Sequence, residues 1–584
     1  MCSYTTPNGH WTPPESDMFP FHRCAMGAEH CCCKNAAEIH AEVINSDVRP
    51  SFSQQSEDDP GPSNVNVAMD ISFTDQLAPV EEEESGPSPK SPTSPSAFSA
   101  FRWRKMTEMS HMESDYEIMR GIPLHRALQH SELWTSPHEI QRRNRSSGVW
   151  ALSTKVSSYD MFLSHTWKTK GRWKVLALMM QTGWPHALLA WVVGLTAMLF
   201  LRAFDVISGP WATSSTWIDG TPVPVVLGPW TIISAGAFLV AGLLFSPYLP
   251  LKTQVCFLDV ACIHQGRDDM FERGLYTIGG CLTATKELRV LYSPEYLSSL
   301  WCVFELVGFR KAHPEGKLTI SPLFVERSAA ICAFVMWCTV LAVTAGIGLT
   351  DSSFRKSYLV VLFIAVFLLP VILFLHALRH SYREKGRLIF DLNSFDVNTL
   401  VCHSDFDRAF ILSAIDAWYG SREAFKDFVR SDLREELLSL LPSPHLPCAY
   451  AALILSCLVT WILDLSVCLY KAGADIRILA RNFLAYLAFI LWSWCAFNGL
   501  FYLSDRTSES GRTRLLDWFK TLGVAGVIFL WAVISFAVVV GVTRQSDSVG
   551  FFCYLAFSMM LPFLILDTFK VCRRHCPKQG ATRL

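Results

Sequence analysis

The chain has 584 residues, 51% of them hydrophobic and only 18% charged, with a mean hydropathy of +0.26. Ordinary soluble domains carry about 25% charged residues, so this chain is short of surface-forming side chains, and its formal net charge of -1 argues against a generally basic nucleic-acid binder. The near-zero total is a cancellation: residues 1–100 hold 15 acids against 4 bases, and the remainder holds 47 bases against 37 acids.

The shortage of charge points to membrane segments. Apolar runs near 20 residues are long enough to cross a bilayer core of about 30 Å. Eight are expected, near 185–203, 225–245, 329–349, 358–378, 448–470, 483–503, 521–543 and 550–566. Residues 1–30 contain no apolar stretch of the kind a secretory leader needs. Eight crossings put both termini on one side. That side carries Lys168, Lys170, Arg172 and Lys174 before the first span, Arg379, Arg383, Lys385 and Arg387 after the fourth, and a basic tail at 569–584. The loop at 204–224 on the other side has no Lys or Arg. The excess of positive charge therefore faces the cytosol. All 19 cysteines fall in the tail, the inward segments or the spans, and they are expected to stay reduced.

In chain order, residues 1–105 read as a disordered acidic tail rich in Ser and Pro, with EEEE at 81–84 and Ser-Pro pairs at Ser88, Ser91 and Ser94. Its Cys31-Cys32-Cys33 run lacks the paired spacing of a metal site; acylation and an unmodified tail are the other readings. Residues 106–154 form an unassigned linker with a short helix around 124–131. Strands are expected at 159–164, 254–260, 287–293, 317–324 and 387–392, and helices at 172–181, 269–284, after Pro294, around 410–418 and over 421–440. Asp405 or Asp407 would cap the helix at 410–418. Strands alternating with helices imply a doubly wound parallel sheet. Its three segments, 155–184, 249–328 and 379–447, are separated by span pairs within 185–248 and 329–378, and four more spans follow over 448–568. An even number of crossings returns the chain to one side, so a single cytosolic α/β domain can be assembled from the three pieces.

The strand-end motifs narrow this further. YDMFLSHTW (159–167), CFLDVACIHQGRDD (256–269) and SPEYLSSLWCVFEL (293–306) resemble, in order, the opening strand, the second strand with its loop, and the S-x-x-Y-x-x-S-x-W-C-x-x-E-L signature of TIR (Toll/interleukin-1 receptor) domains; DFDRAFILSAIDAWYG (405–420) would supply the last helix. The likeness covers about 155–185, 250–325 and 380–440. The inserted spans depart from the family pattern, and so does the ACIHQGRDD loop, which lacks the common glycine-rich form.

The resemblance implies a flavodoxin-like sheet that either associates with other TIR domains or hydrolyses NAD+, here a substrate and not a cofactor. It also implies a catalytic role for Glu305, the glutamate after the Trp-Cys pair. A carboxylate at the sugar face stabilises the oxocarbenium-like state formed when the nicotinamide–ribose bond breaks. Trp301, one helical turn earlier, is placed to stack on the ligand. Open α/β sheets bind ligands beyond the carboxyl ends of their strands, which puts Ser164, His165, Trp167 and His264 at the same cleft. Against this, Glu305 also fits a solvent-facing helical glutamate or a TIR–TIR contact. Glu295 reads as an ordinary first-turn acid. A Ser164–His165 dyad fails because adjacent strand residues face opposite ways. His165, Cys262 and His264 lack zinc-ligand spacing, so no metal is expected.

In the last four spans, Asp464 and Asn498 are the main polar groups, and Asp464 is expected to be hydrated near the outer interface. The sequence thus reads as an integral multi-pass protein whose cytosolic TIR-like module signals, with candidate NAD+ nucleosidase activity through Glu305. Its expected partners are the lipid bilayer and homo-oligomeric or TIR-type contacts, not nucleic acid. The alternatives are a non-enzymatic assembly module on a membrane anchor, and a channel or transporter with a nucleotide-sensing domain.

Overall fold

The sheet begins within residues 106–154, where no strand was expected. In the computed structural model, β1 (Arg120–Pro123) and β2 (Thr154–Lys155) form an antiparallel edge next to four parallel strands: β3 (Met161–His165), β6 (Val255–Phe257), β7 (Glu287–Tyr292) and β8 (Lys317–Pro322). The order across the sheet is β2-β1-β6-β3-β7-β8. Taken alone, the parallel part runs second-first-third-fourth in chain order, with β3 paired to β6 on one side and β7 on the other. A separate antiparallel hairpin, β4 (Trp211–Ile218) and β5 (Thr221–Leu227), lies in the stretch expected as an outer loop.

The structure describes Met112 and residues 114–143, 145–218, 221–250, 252–349, 357–402, 404–441, 446–509, 513–544 and 548–575, without the side chains of 212–224, 347–349, 357–368 and 565–575. The acidic tail at 1–105, its cysteine run and Ser-Pro pairs, and the last residues of the basic tail lie outside the described residues, which all belong to one unit, Pro92–Leu584.

Ten helices of more than ten residues complete the described chain: α1 (Gly171–Ala203), α2 (Trp230–Phe245), α3 (Leu300–Ala312), α4 (Leu323–Leu349), α5 (Ser357–Asn393), α6 (Asp405–Tyr419), α7 (Cys448–Lys471), α8 (Ile476–Arg506), α9 (Arg514–Arg544) and α10 (Ser548–His575). By length and composition, six helical segments are long and apolar enough to cross a membrane: Gly171–Ala203, Trp230–Tyr248, Leu323–Gly346, Cys448–Lys471, Ile476–Arg506 and Arg514–Thr543. The runs expected at 358–378 and 550–566 fall on α5 and α10; within α10, Ser548–Leu564 is a shorter apolar helix. The helix expected at 172–181 and the first apolar run are one helix, α1, with Pro185 inside it.

β3 is buried at all five positions, because neighbouring strands flank it and helices cover both faces. Phe162 stacks on Phe257 of β6 at 4.4 Å between centroids. On α3, Phe304 packs against Trp418 of α6 at 5.4 Å. Such layers are what near-continuous apolar strands require.

Three expectations are corrected. Residues 387–392 are not a fifth strand but the last turns of α5. A strand would bury 388, 390 and 392 on one face, yet Phe390 is 58% exposed while Leu388 and Leu392, one helical turn apart, are buried. The helix at 405–419 is capped by Ser404, whose Oγ accepts from the Asp407 backbone N–H, while Asp405 and Asp407 sit in the first turn. Asp464 is not hydrated: it is 2% exposed and ion-paired with Arg202 at 3.3 Å. The described cysteines, from Cys256 to Cys553, are free thiols.

The start of α1 is tightly specified. A Cβ added at Gly171 would lie 2.1 Å from the Trp134 carbonyl oxygen, which is backbone and has little room to retreat. Gly171→Ala should therefore cost about 1–3 kcal/mol through overpacking. Gly148→Ala, in a short exposed helix with open space around it, should be neutral or stabilising by up to about 1 kcal/mol. Melting of the two variants in detergent, beside the parent chain, checks the contrast.

Candidate active site

Ser164 occupies the penultimate position of β3 and is fully buried. A hydroxyl without water needs protein partners, and two converge on it. Its Oγ lies 2.5 Å from Glu305 Oε2 on α3 and 2.6 Å from the Tyr296 hydroxyl, which donates to the Cys302 carbonyl at 3.2 Å. Tyr296 enters from a single 3-10 turn, Tyr296–Ser298, directly before α3.

Counting protons shows which form of Glu305 completes this chain. With Glu305 ionised, Ser164 donates to the carboxylate, and Tyr296 has one proton for two acceptors, Ser164 and the Cys302 carbonyl. With Glu305 protonated, every link is satisfied in one direction: carboxyl to Ser164, Ser164 to Tyr296, Tyr296 to the carbonyl. Burial acts in the same sense and pushes the Glu305 carboxyl up to about 8, against the lowering effect of the Ser164 hydrogen bond and with a further push from the Asp259 charge. Burial also holds the Tyr296 phenol well above its usual value.

Asp259 lies just beyond the end of β6, opening a four-residue helix, Asp259–Cys262. Its Oδ2 accepts from the Trp167 indole N–H at 2.7 Å and its Oδ1 from the Val260 N–H at 2.8 Å. Burial raises its carboxyl, and these hydrogen bonds and Lys174 oppose the rise. Trp167 is thereby fixed in the loop after β3, half-buried, with the His165 ring 4.5 Å away on one side and the Lys174 ammonium 4.6 Å from its centroid. His165 is held well below its ordinary value by burial and by the Lys174 charge, so its imidazole is neutral at pH 7. Thr169 Oγ1 meets Ser293 Oγ at 2.6 Å and ties the loop after β3 to the loop after β7.

The residues singled out in the sequence divide into three groups. Ser164 and Glu305 are in direct contact, and His165 and Trp167 lie beside them at the same strand end. Trp301 is half-buried but turns its ring to Phe304 at 5.5 Å and Phe410 at 6.4 Å. His264 is elsewhere in its loop: its Nδ1 accepts from the Gly266 and Arg267 N–H groups, and its ring lies 5.2 Å from Trp150. Sequence reasoning missed Asp259, Tyr296 and Lys174. Asp259 is the acid that ends an apolar run, and Tyr296 stands inside the quoted S-x-x-Y motif, so both carried a signal; Lys174 carried none. Among the described residues no group of three or more His, Cys, Asp or Glu is placed to hold a metal.

No family model matches the chain, and no curated protein or solved structure matches it.

The carboxyl–hydroxyl chain has a consequence for stability. Glu305 keeps its proton up to about 8 when folded but loses it near 4.5 when unfolded. Its contribution is fully present below the unfolded value and is lost as pH rises toward 8. The melting temperature should fall between pH 5 and 8, and Glu305→Gln should flatten that fall by several degrees. Scanning fluorimetry across this pH range measures both slopes.

Proposed function

We propose that the chain is an eight-span integral membrane protein that presents a TIR-like module to the cytosol and signals by hydrolysing NAD+. The observation that carries this reading is the Glu305 carboxyl held against Ser164 at the carboxyl end of β3. Three further features support it. The parallel strands run second-first-third-fourth, the order of flavodoxin-like sheets as far as their fourth strand, although helix α5 stands where a fifth was expected. Successive strands are added on one side of β3 and then on the other, so the strand order switches between β3 and β7, where such sheets bind ligands, and the Thr169–Ser293 contact spans that point. The positive-inside pattern and the apolar runs on α5 and α10 favour eight crossings with the sheet inside.

In this mechanism the Glu305 carboxylate faces the ribose as the nicotinamide–ribose bond breaks. The bond pair leaves with nicotinamide, which departs neutral, and the carboxylate stabilises the positive sugar. Water then adds to the anomeric carbon and releases one proton to solvent, giving ADP-ribose. A cationic nicotinamide ring near the carboxyl group favours its ionised form, so substrate binding itself drives the ionisation that burial opposes. Asp259 keeps Trp167 in place as an aromatic wall.

Nicotinamide release by the purified full-length protein tests this. Glu305→Ala and Glu305→Gln should each lower kcat/KM by about 10²–10⁴-fold. The kcat/KM profile should rise about tenfold per pH unit and level off near 8. Background release by the parent chain, equal to that of both Glu305 variants, would rule out the enzymatic reading and leave assembly without turnover.

A further inference from the structure

The end of α1 farthest from the sheet carries a second polar site, unconnected with NAD+ chemistry. Arg202 is 4% exposed although it closes a long apolar helix. Its Nε pairs with Asp464 Oδ1 of α7 at 3.3 Å, and Asp464 also accepts from Thr231 of α2 at 2.7 Å. Its Nη2 donates to the Val226 carbonyl of β5 at 2.8 Å and approaches Cys468 Sγ at 3.0 Å. The remaining nitrogen, Nη1, is buried and has no partner among the described residues. A guanidinium N–H left without an acceptor is costly away from water, so this donor calls for one.

Beside it lies a cavity of about 200 Å³ whose polar lining is Arg202, Lys471, Ser208, Cys468 and the carboxylate of Asp205, with Gly209 and Val226 in its wall. A Cβ at Gly228 would come 3.3 Å from Nη1 and 2.9 Å from the Gly209 Cα, so the free donor sits at the glycine seam that borders the cavity. The second cation, Lys471, is bonded to the Arg202 carbonyl and to Asp205, and that aspartate is largely exposed. The carboxylates near the site are thus already engaged: Asp464 by Arg202 and Thr231, and Asp205 by Lys471. The open valence is a donor, and the cavity is too small for a nucleotide.

We infer that this cavity is a binding site for a compact monovalent anion, chloride or a short carboxylate, held by Arg202 Nη1 with Lys471 as the second positive charge. The test uses full-length protein in lipid nanodiscs, with chloride or acetate titrated at constant ionic strength against a bulky sulfonate too large for the cavity. One of the two should raise the melting temperature saturably, as a ligand specific to the folded state does. Lys471→Gln should raise the half-saturating concentration roughly tenfold, the scale of one charge-assisted hydrogen bond. Arg202→Met with Asp464→Leu removes both partners of the buried pair, a change such sites tolerate better than loss of one, and should abolish the saturable response. A parent protein showing only a non-saturating salt effect overturns the site. So does a saturable effect that survives unchanged in Lys471→Gln and in the double variant.

Discussion

A serine in a strand buried on both faces is the constraint on which the candidate site depends. β3 offers Ser164 no water, so its hydroxyl must be answered by side chains from other elements. Glu305 and Tyr296 answer it, and in doing so they fix the approach of α3 and of the turn before it to the end of the strand. The same burial that requires this bond lifts the Glu305 proton affinity. The packing of the sheet and the acidity of the carboxyl group are therefore one problem with one solution. An apolar residue at 164 would leave Tyr296 and Glu305 each short of a partner and would release the carboxyl from the strand.

The long apolar helices enter this sheet in pairs. Parallel neighbours need a crossover, commonly a single helix. Between β3 and β6 the crossover is instead α1 and α2, packed against each other as an antiparallel hairpin. Between β8 and α6 it is α4 and α5. Each excursion consists of two helices because β6 must pair with β3, and α6 must pack on α3, on the side from which the chain left. A one-helix or three-helix insertion would carry the chain away from the sheet. This pairing rule, rather than any local propensity, lets a compact α/β layer survive two long apolar interruptions.

Much of this was legible in the sequence. The four parallel strands are apolar runs bounded by turns, and Glu305 and Ser164 stand at motif positions that the fold does bring together. The errors have physical sources. Arg387–Leu392 alternates enough to suggest a strand, but six residues do not distinguish period 2 from the i, i+4 pairing of Leu388 and Leu392. β1 and β2 are four and two residues long, below the length at which a pattern declares itself. Trp301 and Glu305 share a helical face by spacing, yet the Trp301 ring lies against Phe410, because a wide apolar helix face can serve the core and the site together. Asp464 was misjudged for another reason. Its partner Arg202 lies 262 positions earlier, and no local rule links them.

The buried charges of the helical bundle stand at its ends. Near the sheet, Arg379 of α5 is fully enclosed by Thr507, Asp517 and Thr521, with Arg383 on the same aspartate at 2.6 Å. At the other end stands Arg202 with Asp464. Between these ends, buried uncharged polar groups tie the helices together: Thr460 accepts from the Trp191 indole N–H at 2.9 Å and Ser558 from the Trp492 indole N–H at 2.9 Å, while Ser456 and Cys457 donate to carbonyls of their own helix. α1 belongs to both ends. Lys174 in its first turn lies against Trp167 beside the site, and Arg202 in its last turn closes the far polar cluster, about 42 Å away along the helix axis. Any shift of that far cluster which moved α1 along its axis would act on Trp167 directly, because the two are joined by a single helix and a three-residue loop.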